Sequence, residues 1–499
     1  MSRLTHGGAP VDADWQPRGG MRIRSAPMGD QVTGTAAVGQ DVVVDARAWQ
    51  ILFITSVSIF LVAMDVTIVS VALPGIRDSF GEPPTVLAWV FTSYNITFAA
   101  LLLVGGKLGD RWGHREAFLG GVVLFAVASL LAAVAPNVEV LIAGRVVQAI
   151  GSALIYPASL ALLLPQFPPS RRSMAIGVWG GIAGLGGAIA PTLGALLVDG
   201  AGWRAVFFIN LPFVAAAFVA GLAVLPRGEE RQRERFDPVA VPMAAIAVGA
   251  LVLVIVEVAE WGWSDPRILA SFLVAVVLLP AFVIRSARHP APLLDLDLFR
   301  LRSFTVGNIA QATFVGSTFG WLVLMPSFFV DVWGWSPLKA GFALAPSAAI
   351  GAALSPFAGR LADRIGHREL VAAGCTMAAI GTLWWVLFVD DAPAYATAML
   401  PGMVLGGLGI VGGFATLTGA LMSRVPPRFY SMAGAARSTI FQLATAVGIA
   451  VAVALQGAGS DGADAVAPYR DIWIVATVAC AVSGVVMLLA FPRRGADRG

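Results

Sequence analysis

The sequence predicts an all-α integral membrane protein, on three observations. Of 499 residues 58% are hydrophobic and only 13% charged, where soluble domains carry roughly 25% charged residues. Apolar runs of spanning length recur along the chain. Basic residues gather in alternate loops between them. With a mean hydropathy of +0.80, a water-soluble chain would leave apolar surface that it could not cover, and lipid removes that problem.

A spanning helix needs about 20 mostly apolar residues, and fourteen runs qualify as candidates. Six lie at 49–73, 86–108, 117–135, 138–164, 173–198 and 203–225. A charged linker, Arg227 to Asp237, precedes two more at 239–258 and 267–285. A second polar stretch ends near Arg302. Six further runs occupy 303–330, 337–358, 370–389, 394–421, 430–456 and 472–492. Residues 1–47 are polar and rich in Gly, Pro and Asp, and read as a disordered cytoplasmic tail. The first long run starts near Trp49, too late and too long for the apolar core of a signal peptide.

The basic residues test the order of the runs. Even-numbered loops hold eighteen, among them Lys107, Arg111, Arg115, Arg171, Arg172, Arg227, Arg285, Arg302, Arg360, Arg364, Arg368 and Arg424. Odd-numbered loops hold five: Arg77, Arg204, Arg267, Lys339 and Arg470. Cytoplasmic loops collect Lys and Arg, so both termini are expected in the cytoplasm of a multi-pass protein of the cytoplasmic membrane.

Composition also removes several functions. A net charge of +3 with no massed basic patch gives no case for nucleic acid. The two cysteines, Cys375 and Cys480, sit in apolar runs and form no disulfide framework. His6, His114, His289 and His367 all lie in polar segments, so no metal site with ligand spacing emerges. An intramembrane hydrolase would need a Ser-His pair or metal ligands within helices, and no histidine lies there. No G-x-x-x-x-G-K-[ST] loop is present. Neither a cofactor nor an enzyme activity is expected, and transport would run on an ion or substrate gradient.

The chain repeats itself. The loop after the second run reads Gly106-Lys-Leu-Gly-Asp110-Arg111-Trp-Gly113-His114-Arg115-Glu116, and the loop after the tenth reads Gly359-Arg-Leu-Ala-Asp363-Arg364-Ile-Gly366-His367-Arg368-Glu369. Eight of eleven positions are identical. Each loop follows the second helix of a six-helix block, so the blocks are 48–225 and 303–492, and 226–302 carries the linker and two inserted helices. Two blocks of the same orientation imply parallel repeats related by an axis along the membrane normal. Asp110 and Asp363 are suited to accept from nearby arginines or to cap helices. The arginines are expected to hold one block's end against the other, a latch made in one conformation and broken in another.

These loops resemble the signature loop of the major facilitator superfamily, G-x-L-a-D-r-x-G-r-k. Three further segments resemble its drug:proton antiporters with fourteen spanning helices: Met64-Asp65-Val66-Thr67-Ile68-Val69-Ser70-Val71-Ala72-Leu73-Pro74, Arg145-Val-Val-Gln148-Ala-Ile-Gly151, and Trp203-Arg204 through Phe208-Ile-Asn210-Leu-Pro212. The resemblance spans about residues 50–492 and implies the major facilitator fold, two six-helix bundles plus the two inserted helices. One segment departs from the pattern. The antiporter signature g-x-x-x-G-P-x-x-G-G stands here as Gly186-Gly187-Ala-Ile-Ala190-Pro191-Thr-Leu-Gly194-Ala195. Two glycines have become alanines, which weakens antiport against other coupling.

Candidate site residues follow from polarity at membrane depth. Asp65 lies inside the first run, and an ionisable residue there is functional by default. It reads as a proton- or cation-binding group, the alternative being a structural carboxylate paired with an arginine. Arg145, Gln148, Ser152, Tyr156 and Ser159 are spaced to share one helical face, expected to line a wet cavity, the alternative being polar glue between helices. By resemblance, Arg145 helps relay protonation. Thr92, Ser93, Tyr94, Asn95 and Thr97 in the second run, Asn308 and Gln311 in the ninth, and Arg437, Ser438 and Gln442 in the thirteenth stand between pocket and packing. Glu257 and Glu260, before Trp261 and Trp263, read as a pair at the outer interface with the tryptophans as an aromatic belt, the alternative being a proton-entry role. The glycine-dense fifth run, kinked at Pro191, suits the interface of two blocks through close packing or sliding.

Taken with the resemblance, these features imply a monomeric exporter of small hydrophobic or amphipathic compounds driven by inward proton flow. The alternatives are a dedicated exporter of one endogenous metabolite, such as an antibiotic or siderophore, and, remotely, a membrane enzyme or receptor.

Overall fold

The computed structural model describes residues 44–168, 171–227, 237–458 and 465–493. The expected tail lies outside these up to residue 43, as do linker positions 228–236 and the last six residues of the chain.

Every apolar run folds as helix. The first block is α1 (Ala46–Phe80), α2 (Pro84–Trp112), α3 (His114–Ala133), α4 (Val138–Leu163), α5 (Arg172–Ala201), and the broken pair α6 (Ala205–Phe208) and α7 (Asn210–Val224). The inserted pair is α8 (Ala240–Trp261) and α9 (Pro266–Arg288). The second block is α10 (Arg302–Ser327), α11 (Pro337–Ala343), α12 (Ala345–Ile365), α13 (His367–Phe388), α14 (Leu400–Ile410), α15 (Thr416–Met422), α16 (Tyr430–Ala458) and α17 (Ala467–Ala490). A π-helical turn, Val411–Ala415, joins α14 to α15.

Among the described residues, twelve helices are long and apolar enough to cross a membrane. A thirteenth span is the bent pair Met174–Gly187 and Thr192–Ala201 within α5, which turns through 43°. The bend falls where a kink was expected, although the Pro191 side chain is outside the described residues. The run 337–358 forms α11 and α12 but is not among the spans, so fourteen is not reached by this measure. The reason is chemical: α12 carries Ser347, Ser355, Arg360 and Arg364.

The two blocks pack alike. In the first, α1 lies on α5 and α7, and α3 on α4 and α7; in the second, α10 lies on α16 and α17, and α13 on α14 and α17. The same small-residue crossing recurs. A methyl group on Gly151 would sit 2.8 Å from the carbonyl oxygen of Gly121, and one on Gly374 would sit 2.6 Å from Cα of Gly412. Between blocks, α2 meets α16 while α5 meets α12. The second helix of each block thus meets the fifth helix of the other, the exchange that a two-fold axis requires.

The repeated loops fold identically. Gly113 and Gly366 end α2 and α12 with φ of 101° and 106°, a region that L side chains avoid. Each amide donates back into its helix at 2.9 Å, to Gly109 and to Ala362. Two residues on, Arg115 Nη2 donates to the Leu222 carbonyl at 3.1 Å, and Arg368 donates to the Leu488 carbonyl. Leu222 and Leu488 stand at matching places in the last turns of α7 and α17. These two arginines therefore bind the last helix of their own block, not the partner block, which corrects the expected latch for Arg115 and Arg368 alone. A carbonyl in a frayed last turn is the nearest unsatisfied acceptor.

Other groups bridge the blocks at this arginine-rich end. Ser431 Oγ donates to the Gly106 carbonyl at 2.8 Å, and Arg172 Nη1 donates to the Tyr430 hydroxyl at 2.7 Å. A methyl group on Gly177 would meet the Ser355 carbonyl oxygen at 2.9 Å. Asp110 lies 3.9 Å from His114. Arg111 and Arg364 are exposed, and the Asp363 side chain is outside the described residues.

The inserted helices pair with one another, and α8 leans on α2 and α16. Asp237 fastens them: its carboxylate accepts from the amides of Val239 and Ala240 at 3.1 and 3.2 Å and from Arg285 Nε at 2.7 Å. The Arg285 guanidinium, aided by these amides, holds the Asp237 carboxyl down at about 2. Glu257 is only 4% exposed and hydrogen-bonds Thr92. It packs against α2 in the last turns of α8, while Glu260 is exposed.

Candidate functional site

Asp65 and Arg145 meet at the centre of the first block, both wholly buried. Arg145 Nη1 donates to Asp65 Oδ2 at 2.5 Å and to Gln148 Oε1 at 2.8 Å, and its Nε donates to the Val90 carbonyl at 3.0 Å. The other carboxylate oxygen, Oδ1, accepts from Asn210 Nδ2 at 3.0 Å and from Gln148 Nε2 at 3.3 Å. Gln148 also donates to Ser129 Oγ at 2.7 Å. The guanidinium lies 4.3 Å from the centre of the Tyr94 ring, a cation–π distance, and the Tyr94 hydroxyl donates to Ser152 Oγ at 2.8 Å.

The network draws on five helices: Asp65 from α1, Tyr94 from α2, Ser129 from α3, Arg145, Gln148 and Ser152 from α4, and Asn210 from α7. A buried carboxylate facing a guanidinium and two amides is satisfied without water. Arg145, Gln148, Ser152 and Ser159 are 0% exposed, so in this conformation the stripe does not line a wet cavity. The sequence placed these groups on one face correctly, but that face meets polar groups on α1, α3 and α7 that accept it. Tyr156 turns elsewhere, edge-on to Trp179 at 5.3 Å and to Phe98 at 6.0 Å.

Two network members went unselected. Asn210 entered the sequence reading only as part of a motif, and that motif was the signal that could have found it. Ser129 is a lone hydroxyl in an apolar run and gives no signal.

The remaining candidates lie in the second block. Gln311 Nε2 donates to the Arg437 carbonyl at 3.2 Å, and Asn308 donates back to Phe304 in its own helix at 2.8 Å. Arg437 is 4% exposed, and Gln442 is half-buried. The structure does not bring these residues to the Asp65–Arg145 pair. Of the fifth-run glycines, Gly186 and Gly194 allow α5 to touch α1, since methyl groups there would meet the Phe60 carbonyl oxygen at 2.5 Å and Ile68 Cγ1 at 2.9 Å. Nothing lies within 4 Å of such a group at Gly187, which meets α1 instead through its carbonyl, the acceptor for Thr67 Oγ1 at 3.4 Å.

Paired helical blocks exchanging their second and fifth helices, with an ion pair sealed inside one of them, define a multi-pass membrane carrier. The chain belongs to the Major Facilitator Superfamily, which it matches over residues 55–449 and again over 308–499. It is 33% identical to the tetracenomycin C resistance and export protein of Streptomyces glaucescens over 406 residues, covering 81% of this chain and 75% of that one. It is 33% identical to the puromycin resistance protein pur8 of Streptomyces alboniger over 460 residues, covering 90% and 89%. Among solved structures, the proton:xylose symporter XylE superposes with a TM-score of 0.65 at 14% identity, over 90% of this chain and 97% of that one. The family, the tetracenomycin C export protein and the xylose symporter are transport proteins, not enzymes.

Proposed function

We propose that this protein is a proton-coupled exporter of small hydrophobic or amphipathic compounds, acting as a monomer by alternating access across the cytoplasmic membrane, with both termini cytoplasmic. The observation that carries the reading is the wholly buried Asp65–Arg145 pair. A proton arriving at Asp65 cancels its charge and leaves the guanidinium without a counter-ion. Arg145 must then reorganise towards Gln148, the Val90 carbonyl and the Tyr94 ring, pulling on α2 and α4. Both helices touch α16 of the other block, so a protonation event is felt at the seam. An inward proton supplies roughly 2.3 kcal/mol per 100 mV, enough to bias such a cycle.

The relatives' names supply the substrate class, since they are resistance and export proteins for small organic compounds. We read the run 337–358 as a further span, which brings the count to that of the fourteen-helix antiporters, and 48–225 and 303–492 as the moving bundles. Gly106, Asp110, Arg111, Gly113, Asp363 and Arg364 would then form the conformational joint, with the bend in α5 as a hinge. A dedicated exporter of one metabolite is the second reading, favoured because these relatives are each named for one antibiotic.

Proton flux in everted membrane vesicles, measured with a panel of compounds, tests the proposal. Wild type should couple proton movement to efflux and Asp65→Asn should not. Coupled efflux retained by the mutant would remove Asp65 from the mechanism. Response to a single compound would select the dedicated reading.

A further inference from the structure

The second block holds a buried positive charge that no carboxylate among the described residues answers. Arg437 lies seven residues into α16, roughly 10 Å along the helix at 1.5 Å per residue, and is 4% exposed. Its Nε and Nη1 have no hydrogen-bond partner, and among the described residues no carboxylate pairs with it. Gln311, the nearest polar side chain on α10, spends its amide on the Arg437 main-chain carbonyl. Arg145, which is wholly buried, also has one nitrogen without a partner, Nη2, but its charge is matched by Asp65. A bare guanidinium at membrane depth is costly, and a site that keeps one is poised for an anion.

The helix face fixes where Arg437 points. Gly434, Arg437 and Phe441 fall within one narrow arc of α16. Gly434 faces Leu160 of α4, whose Cδ1 would stand 3.4 Å from an added methyl group. Phe441 packs on Phe414 and Phe319, each at 5.9 Å. Arg437 therefore sits where the first block gives way to the second. One turn along α4 from Leu160, Tyr156 meets Trp179 edge-on. The guanidinium lies 5.9 Å from the Phe441 ring centre. The position sets this guanidinium beside the Phe441, Phe414 and Phe319 cluster of its own block, with α4 of the first block facing the same arc of α16.

We propose that Arg437 is the anion-recognising group of a central substrate site, and that the transported compounds include aromatic or amphipathic acids, carboxylates or acidic phenols ionised at neutral pH. The assignment rests on the export reading only in treating the bound acid as cargo.

The test titrates purified full-length protein with a panel of aromatic carboxylates and their neutral methyl esters, following tryptophan fluorescence. Wild type should bind at least one acid tenfold or more tighter than its ester. Arg437→Gln should erase that preference while keeping ester affinity, and Arg437→Lys should keep part of it. The ligand-free Arg437→Gln protein should melt no lower than wild type, because it loses an unpaired charge. Equal binding of acids and esters, no binding of any acid, a preference surviving in Arg437→Gln, or a lower melting temperature for that variant would each overturn the proposal. A response to chloride alone equal to that for the acids would overturn the substrate assignment. Vesicle efflux of the bound acid separates the two readings: Arg437-dependent binding without efflux ends the export reading and leaves the anion site standing.

Discussion

Arg145 holds Asp65 at 2.5 Å across the interior of the first block, and both residues are closed to solvent. Each depends on the other: among the described residues Asp65 is the one carboxylate paired with this guanidinium, and Arg145 the one cation paired with Asp65.

This mutual dependence predicts strongly non-additive substitutions. Asp65→Asn leaves Arg145 buried without a counter-ion, and breaking a buried pair in this way costs about 3–5 kcal/mol. Arg145→Gln strands the carboxylate at a similar cost. The double variant removes both charges and should recover more than half of the summed loss. Thermal unfolding of the four proteins in detergent checks this; simple additivity would mean that the two side chains do not act on each other.

The matched glycines predict matched penalties. Gly113→Ala and Gly366→Ala place a methyl group on backbone at φ of 101° and 106°, a strain on the order of 1–3 kcal/mol each. The added group would also lie 2.5 Å from Glu116 Oε2 at the first site and 3.0 Å from Glu369 Oε2 at the second. Both variants should show lower folded yield and melting temperature, with the first loss somewhat larger. An unchanged melting temperature in either would contradict the turn geometry.

Much of this architecture is written in the sequence. Apolar runs need only composition to be seen, and the Gly106–Glu116 and Gly359–Glu369 loops announce the repeat because identical turns demand identical residues. Asp65 and Arg145 stood out because charge is rare at membrane depth. Their partnership did not, since eighty residues separate them in the chain and helix periodicity fixes a face without naming what it meets. Ser129 was invisible for the same reason. The target of Arg115 and Arg368 was misjudged because a backbone carbonyl at a helix end carries no sequence signature. The break of α14 at Val411–Ala415 falls in a glycine-rich run that reads equally well as unbroken helix.

Asp237 predicts a pH dependence confined to acid. The folded carboxyl titrates at about 2, below its unfolded value of about 3.9. Its contribution to stability is therefore complete above about pH 4 and is lost as the pH falls towards about 2. Arg285 is partly exposed, so the contribution at neutral pH is modest, roughly 1 kcal/mol. Asp237→Asn should lower the melting temperature at pH 7 and flatten its decline below pH 4. Limited proteolysis between α7 and α8 should accelerate in the same variant, and a parallel decline in both proteins would assign the acid sensitivity elsewhere.

The ties from Arg115 to Leu222 and from Arg368 to Leu488 have a mechanical corollary. Each fastens the corner between a block's second and third helices to its sixth, so each bundle is girdled where the chain would otherwise splay. At the same end the blocks are joined by other groups, the hydrogen bonds from Ser431 to Gly106 and from Arg172 to Tyr430 and the close packing of α5 on α12. Each bundle is thus closed on itself by its own arginine, and what joins one bundle to the other there is made by different residues.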